Sequence, residues 1–256
     1  MNKNLEFIHE REQRIKNIPQ NVLLQETGNA FMIETLKANY SYNFSWMGRP
    51  IIQYPQDMMA MQEIIWAVKP DLIIETGIAH GGSLIFYASM LELLGGSGTV
   101  LGIDIDIREH NRQEIVKHPM YKRITMLEGS SIDEAIAGQV RKAAEGKARI
   151  MVCLDSNHTH DHVLKELELY APLVTAGSYL VVFDTIVEDM PEDFFQDRPW
   201  GKGNNPKTAV WEYLRCLQAE GRSAADGSPL HFETDQAIEN KLLITVAPSG
   251  FLKRIP

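Results

Sequence analysis

Between residues 71 and 184 the chain carries five short apolar runs, and each ends at or near a polar residue. They are Asp71–Glu75 (DLIIE), Thr99–Asp104 (TVLGID), Arg123–Leu127 (RITML), Arg149–Asp155 (RIMVCLD) and Tyr179–Asp184 (YLVVFD). A half-exposed strand would alternate, whereas these runs are nearly continuous in apolar residues, which marks strands buried on both faces. Helical patterns fall between them, at 83–94, 109–117, 132–145 and 161–170. Such alternation implies right-handed crossovers and a doubly wound, mostly parallel α/β sheet. Ligands of these sheets bind at the carboxyl ends of the strands, near the point where strand order reverses. The residues to read are therefore Glu75, Asp104, Ser130, Asp155 and Asp184. One acidic strand end is commonly a helix cap or a solvated turn; a run of polar ends on successive strands points to a site.

The flanks are organised differently. Residues 3–38 read as helical, with Leu5, Ile8, Ile15, Ile18 and Val22 as candidate apolar-face positions. This segment is expected to pack on the domain or on a second subunit, making the protein a homo-oligomer. Residues 40–56 are aromatic and irregular, with Pro50 and Pro55 as breakers, and a helix is expected from about Gln56 to Val68. A helix at Pro206–Gln218 and a final strand at Lys241–Val246 complete the reading. The chain thus divides into an N-terminal helical extension with an aromatic lid segment, 1–56, and a main domain, 57–256.

Charge excludes some partners. The formal net charge is −9, whereas nucleic-acid binding rests on neutralising phosphates with basic residues. Nucleic acid and anionic membrane surfaces are therefore poor partners. No stretch approaches the ~20 apolar residues that span a bilayer, and the first residues contain no apolar signal-peptide core, so a cytoplasmic location is expected. Cys153 and Cys216 have spacing that suggests neither a metal site nor a disulfide framework.

The first strand runs into Glu75-Thr76-Gly77-Ile78-Ala79-His80-Gly81-Gly82-Ser83. Glycines permit a tight turn and close approach of backbone to ligand, and the following helix offers free N–H groups to an anion. The glycines fall at Gly77, Gly81 and Gly82, which is not the G-x-G-x-x-G dinucleotide spacing. Glu75 would repel a pyrophosphate but can accept hydrogen bonds from an ammonium group. S-adenosylmethionine has an ammonium, a carboxylate and no phosphate. Asp104 lies where an acidic residue binds ribose hydroxyls.

At this point a resemblance can be stated. E-T-G-x-x-x-G-G-S followed by G-I-D resembles motifs I and II of class I (Rossmann-like) methyltransferases. Over nearly its whole length the chain is similar to the cephalosporin hydroxylase and rhamnosyl O-methyltransferase family. The shared features are W-x-G-x-P-I-x-Q-x-P-x-D (Trp46 to Asp57), the E-T-G loop, L-D-S-N-H at 154–158, V-V-F-D-T at 181–185 and P-W-G-x-G-N-N-P-K-T-A-V at 199–210. The resemblance implies that Glu75, Gly77, Gly81 and Ser83 surround the amino-acid end of the cofactor. It places Asp104 at the ribose, Ser130 and Ser131 beside the adenine, and Asp155 in contact with cofactor and metal alike. Gln53 and Asp57 would close over the site, or serve only as loop and helix cap. The "hydroxylase" label does not carry over as chemistry, because the run His158-Thr159-His160-Asp161-His162 lacks the His-x-Asp spacing of an iron facial triad.

An alcohol is a poor nucleophile, and a divalent cation can lower its pKa and orient it while a positioned base takes the proton. Mg²⁺ or Mn²⁺ would suit carboxylates. Asp155 and Asp184 end adjacent strands, so their side chains can converge, and the resemblance assigns metal ligands to these two ends. It also assigns the base to His158, three residues beyond Asp155. One departure stands out: relatives offer two adjacent ligands after the fifth strand, and here the run is Phe183-Asp184-Thr185. The third ligand would be Thr185, a water or Glu188. The His158, His160 and His162 cluster raises adventitious metal binding as a rival. A loop as long as 186–206 is usually functional or disordered; its Phe194, Phe195 and Trp200 would stack on a sugar face or pack on the core. The function expected is O-methylation of a sugar or polyhydroxylated small molecule, in polysaccharide or glycosylated natural-product synthesis. The alternatives are a nicotinamide-dependent oxidoreductase on the same architecture and a non-catalytic binding subunit.

Overall fold

The computed structural model describes residues 3–256. Two helices, α1 (Lys3–Asn17) and α2 (Val22–Lys37), lead into a hairpin of β1 (Phe44–Trp46) and β2 (Arg49–Ile51), followed by α3 (Pro55–Val68). The α/β alternation then runs β3 (Leu72–Thr76), α4 (Gly82–Leu94), β4 (Thr99–Asp104), α5 (Glu109–Lys117), β5 (Ile124–Glu128), α6 (Glu134–Ala144), β6 (Ile150–Leu154), α7 (His160–Tyr170) and β7 (Tyr179–Val182). Last come α8 (Pro206–Glu220), β8 (His231–Thr234), α9 (Gln236–Leu242) and β9 (Phe251–Ile255).

These strands form one seven-stranded sheet in the order β5-β4-β3-β6-β7-β9-β8. The first five are parallel, and β9 inserts antiparallel to both β7 and β8. Every residue of β3, β6 and β7 is buried, as the continuous apolar runs require. The apolar core is split by the sheet. Ile73, Val100, Met151 and Val181 face one layer, and Ile74, Leu101, Val152 and Leu180 face the other. Strand order reverses at β3, which lies between β4 and β6. The carboxyl ends of β3 and β6 therefore open onto the crevice where such folds bind ligands.

The helical stretch 3–38 folds as two helices: Pro19 sits in a single 3-10 turn, Ile18–Gln20, and Asn21 restarts the helix by accepting a hydrogen bond from Leu24 N–H. Two expectations are corrected. The irregular segment 40–56 contains the β1–β2 hairpin. Its two-residue turn, Met47-Gly48, has positive φ at both positions, 45° and 85°, the geometry that matches strand twist. Residues 241–246 are not a strand. Asp235 accepts from Ala237 and Ile238 N–H and starts α9, and the rest is a loop whose Val246 N–H is taken by Asp57. The sheet is completed by β8 and β9 instead. In β9 a fully buried Arg254 donates to the Val174 carbonyl and to Asp226 and Ser228, so a charged residue sits inside a core strand.

The aromatic segment is docked by polar tips on apolar bodies. Trp46 donates its indole N–H to Ser89 Oγ at 2.9 Å and stacks edge-on against Phe86. The buried Tyr54 hydroxyl pairs with Thr35 Oγ1 at 2.8 Å. In contrast, α1 has no buried residue, and Leu5, Phe7, Val22 and Leu23 are each more than half exposed.

Candidate active site

A cavity of about 340 Å³ opens at the carboxyl ends of β3 and β6. Its walls come from the loop after β3, the segment before α3 and the long loop 186–206; Asp155 and Asp184 also line it. The cofactor loop is built by close contact. Gly77 has φ +91°, and a β-carbon there would stand 2.0 Å from the Asp155 carbonyl oxygen. Only glycine allows this approach, which joins the loop directly to the end of β6. Ala79 also has positive φ, 45°, a strained state for a side chain. Its surroundings hold it there. Asp104 accepts from Ile78 N–H (2.8 Å) and Ala79 N–H (3.2 Å), Asn111 donates to the Ala79 carbonyl (2.9 Å), and Arg49 donates twice to the His80 carbonyl.

Glu75 is fully buried behind the loop and accepts from Ser83 Oγ at 2.7 Å. Burial pushes its carboxyl up to about 8, the Ser83 hydrogen bond opposing, and its Oε1 has no partner among the described residues. Ser83 and Gly82 line the cavity at the start of α4. The helix's own bonding begins with Ile85 N–H to the Gly81 carbonyl, so the preceding N–H groups are available to an anion. An amino-acid carboxylate fits that end of the cavity. Of the residues expected to hold the cofactor, Gly77, Ser83 and Asp155 line the cavity. Glu75 and Gly81 lie just behind it. Asp104 has turned its carboxylate onto the loop and onto Asp106 N–H, and Ser131 is buried, its hydroxyl paired with His162 at 3.0 Å. Neither Asp104 nor the Ser130–Ser131 pair is brought to the cavity wall.

At the floor, donor atoms of Asp155, His158 and Asp184 lie within 4.8 Å of one another. His158 Nε2 is 3.2 Å from Asp184 Oδ2, and Gln53 donates its side-chain N–H to Asp155 Oδ2 at 3.1 Å. Asp155 is held well above the ordinary carboxylate range by desolvation and, next, by the neighbouring Asp184 carboxylate. Asp184 adopts left-handed backbone, φ +55°, a strained conformation of the kind found where function requires it. Two crowded carboxylates and an imidazole fit a hard divalent cation, which would relieve their repulsion. One histidine and two carboxylates are not the two-histidine, one-carboxylate set of a non-haem iron oxygenase.

The other ligand candidates are committed elsewhere. Thr185 is buried and donates its hydroxyl to the Pro248 carbonyl at 2.8 Å, and Glu188 accepts from Gly203 N–H and Asn205 Nδ2. Thr185, expected as a metal ligand, thus has its hydroxyl proton on the Pro248 carbonyl, and the donor atoms that converge with those of Asp155 and Asp184 are those of His158. The histidine run also separates. His160 contacts Thr208 and Glu212, and His162 pairs with Ser131, which leaves His158 alone facing the carboxylates. Asp57 is likewise structural: fully buried, it accepts from Thr245 Oγ1 and Val246 N–H.

The loop 186–206 is long but pinned. Asp189 accepts twice from Lys207 Nζ at 2.7 and 2.6 Å, Glu188 holds Asn205 and Gly203, and His160 N–H donates to Asn204. It carries Phe194, Phe195 and Trp200 onto the cavity wall. Trp200 meets the His158 ring edge-on, with centroids 4.8 Å apart. Sequence reasoning named these aromatics but missed Arg49 and Asn111. Arg49 falls at a variable position of the Trp46–Asp57 motif and Asn111 outside every motif, and each acts through a backbone carbonyl.

With this geometry in view, the comparisons with known proteins decide the family. The model of the rhamnosyl O-methyltransferase/CmcI family matches residues 38–255. The chain belongs to that family. It is 33% identical over 220 residues to the rhamnosyl O-methyltransferase of Mycobacterium leprae (strain TN), covering 84% of this chain and 86% of the relative. The Mycobacterium tuberculosis (strain ATCC 25618 / H37Rv) rhamnosyl O-methyltransferase is 32% identical over 216 residues, 82% and 78% of the two chains. Among solved structures the apo form of CmcI superposes with a TM-score of 0.57 at 18% identity, covering 84% of this chain and 77% of that one. The magnesium–SAM structure of CmcI gives 0.55, covering 84% and 78%. These structures share the fold. Membership in the family carries the expected enzyme class, S-adenosylmethionine-dependent O-methylation, and removes the oxidoreductase and non-catalytic alternatives. Among the described residues no helix is long and apolar enough to cross a membrane.

Proposed function

We propose that this family member methylates a hydroxyl of a sugar with the help of a divalent cation held by Asp155 and Asp184. The observation that carries the reading is the convergence of Asp155, His158 and Asp184 on the floor of the cavity formed by the cofactor loop. The mycobacterial relatives named as rhamnosyl O-methyltransferases support a sugar acceptor, and the magnesium–SAM form of CmcI accords with both cofactors.

S-adenosylmethionine supplies an electrophilic methyl group on a sulfonium. Asp155 and Asp184 would hold Mg²⁺ or Mn²⁺, which when bound would lower the pKa of a hydroxyl beside it. The remaining work falls to the chain. Ser83 and the start of α4 receive the amino-acid end of the methyl donor, and Gly77 brings that end against β6. Gln53 fixes the Asp155 carboxylate. His158 Nε2 takes the proton of the acceptor hydroxyl as its oxygen attacks the sulfonium methyl and the CH3–S bond breaks, releasing S-adenosylhomocysteine, and the Asp184 carboxylate stabilises the resulting imidazolium. Trp200, Phe194 and Phe195 offer faces on which a sugar ring stacks. The N-terminal segment supplies its aromatic lid residues to the site, and the exposed faces of α1 and α2 join two copies of the chain.

A second reading follows from the same cluster: His158 is itself the third metal ligand. One experiment tests both. Chelation should abolish methyl transfer from labelled cofactor to methyl rhamnosides, and Mg²⁺ or Mn²⁺ should restore it. Asp155→Asn and Asp184→Asn should each lose Mn²⁺ binding and turnover. His158→Ala should keep Mn²⁺ affinity and lose about 10²–10⁴ in kcat, the scale of a general base; lost Mn²⁺ affinity would make it a ligand. Full turnover in excess chelator would remove the cation from the reaction.

A further inference from the structure

The cavity floor is acidic and the protein carries a net charge of −9, yet its wall includes one Lys or Arg side chain, Arg198. The other arginine beside the cofactor loop is consumed by structure: Arg49 is bonded to the His80 carbonyl and Asn111. Among the described residues no carboxylate pairs with the Arg198 guanidinium. Its contact is with Trp200, over whose ring it lies 5.5 Å from the centroid. The same indole meets the His158 ring edge-on, so Trp200 touches both the guanidinium and the reacting end of the cavity. A guanidinium is a planar fork that pairs two N–H groups with a carboxylate or phosphate. A lone cation in a field of negative charge also steers an anion that would otherwise be turned away.

We infer that the acceptor hydroxyl belongs to a molecule that also carries an anionic group, a carboxylate or a phosphate, and that Arg198 binds it. With a ring stacked on Trp200 and its hydroxyl at His158, the anionic substituent lies beneath the guanidinium. The inference rests on the proposed methyl-transfer site, and it narrows the acceptor from any sugar to an acidic one. The cofactor carboxylate is not the intended partner, because Ser83 and the start of α4 already receive it.

The test is calorimetric titration of the enzyme loaded with S-adenosylhomocysteine and Mg²⁺, using matched neutral and anionic probes. One set is methyl α-rhamnoside, rhamnose 1-phosphate and methyl glucuronide; the other is catechol and 3,4-dihydroxybenzoate. The anionic members should bind about tenfold or more tightly at low salt, with the gap shrinking as ionic strength rises. Arg198→Gln should erase the gap while leaving the neutral members and S-adenosylhomocysteine unaffected, and Arg198→Lys should restore part of it. The preference between rhamnose 1-phosphate and methyl glucuronide tells phosphate from carboxylate. The proposal is overturned by equal binding within every pair, by a loss in Arg198→Gln that neutral probes share, or by weakened S-adenosylhomocysteine binding. If the catechol pair splits but none of the sugars binds, the sugar reading fails and the Arg198 assignment stands.

Discussion

Replacing Gly77 by alanine tests whether one backbone contact joins the cofactor loop to the carboxyl end of β6. Two costs are separable. Alanine at φ +91° loses about 1–2 kcal/mol to the left-handed backbone. Its β-carbon, placed 2.0 Å from the Asp155 carbonyl oxygen, adds an overpacking cost of about 1–3 kcal/mol. The obstruction is backbone, which cannot swing aside as a side-chain tip would. Gly146 supplies the control: φ is +70° and a β-carbon there would meet nothing within 4 Å, so Gly146→Ala bears the conformational cost alone. Equilibrium urea unfolding should therefore find Gly77→Ala less stable than Gly146→Ala by about 1–3 kcal/mol. A displaced Asp155 should also weaken Mn²⁺ binding by about tenfold, as loss of supporting contacts does at metal sites, and weaken S-adenosylhomocysteine binding in calorimetry. Equal destabilisation of the two variants, with both ligands bound normally, would refute the contact as the element that couples the sites.

Two further outcomes are expected. Burial raises the Asp57 carboxyl to about 7, so the folded state keeps its proton after an unfolded carboxyl, near ~3.9, has lost it. Its contribution is present below that lower value and is lost as pH rises toward 7; the stability difference between wild type and Asp57→Asn should fall across this window, and a constant difference in urea unfolding would refute the assignment. Deleting residues 3–20, which removes α1 and keeps the Asn21 cap, should leave thermal stability nearly unchanged because α1 has no buried residue, but should halve the particle mass in light scattering; an unchanged mass would separate these helices from self-association.

Much of this architecture could be read before the structure was known, and the reasons are specific. Strands β3, β6 and β7 are legible because burial on both faces leaves a continuous apolar signature, and Glu75, Asp155 and Asp184 stand where those signatures stop. Strand β9 is not, because Arg254 neutralises its charge on partners 26 to 80 residues away in sequence. Residues 241–246 mislead for the opposite reason: an apolar run is buried in a loop whose N–H group is satisfied by Asp57 rather than by a ladder. The Met47-Gly48 pair beside alternating Phe44 and Trp46 did hold a hairpin signal. The His158–His162 run offers three imidazoles at equal spacing. Only the start of α7 at His160 decides that one reaches the carboxylates and the others face Thr208 and Ser131.

The anchoring of loop 186–206 has an engineering consequence. Its entry is tied at Glu188 and Asp189 and its exit at Asn205 and Lys207, each to the other, while Asp155, Ser83 and Gly77 are held by bonds that lie outside it. The segment between those clasps is thus a cassette with its own fastenings. Exchanging residues 190–204 between family members, with both clasps and the Trp200 contact to His158 kept, would carry new wall residues onto an unaltered reaction centre.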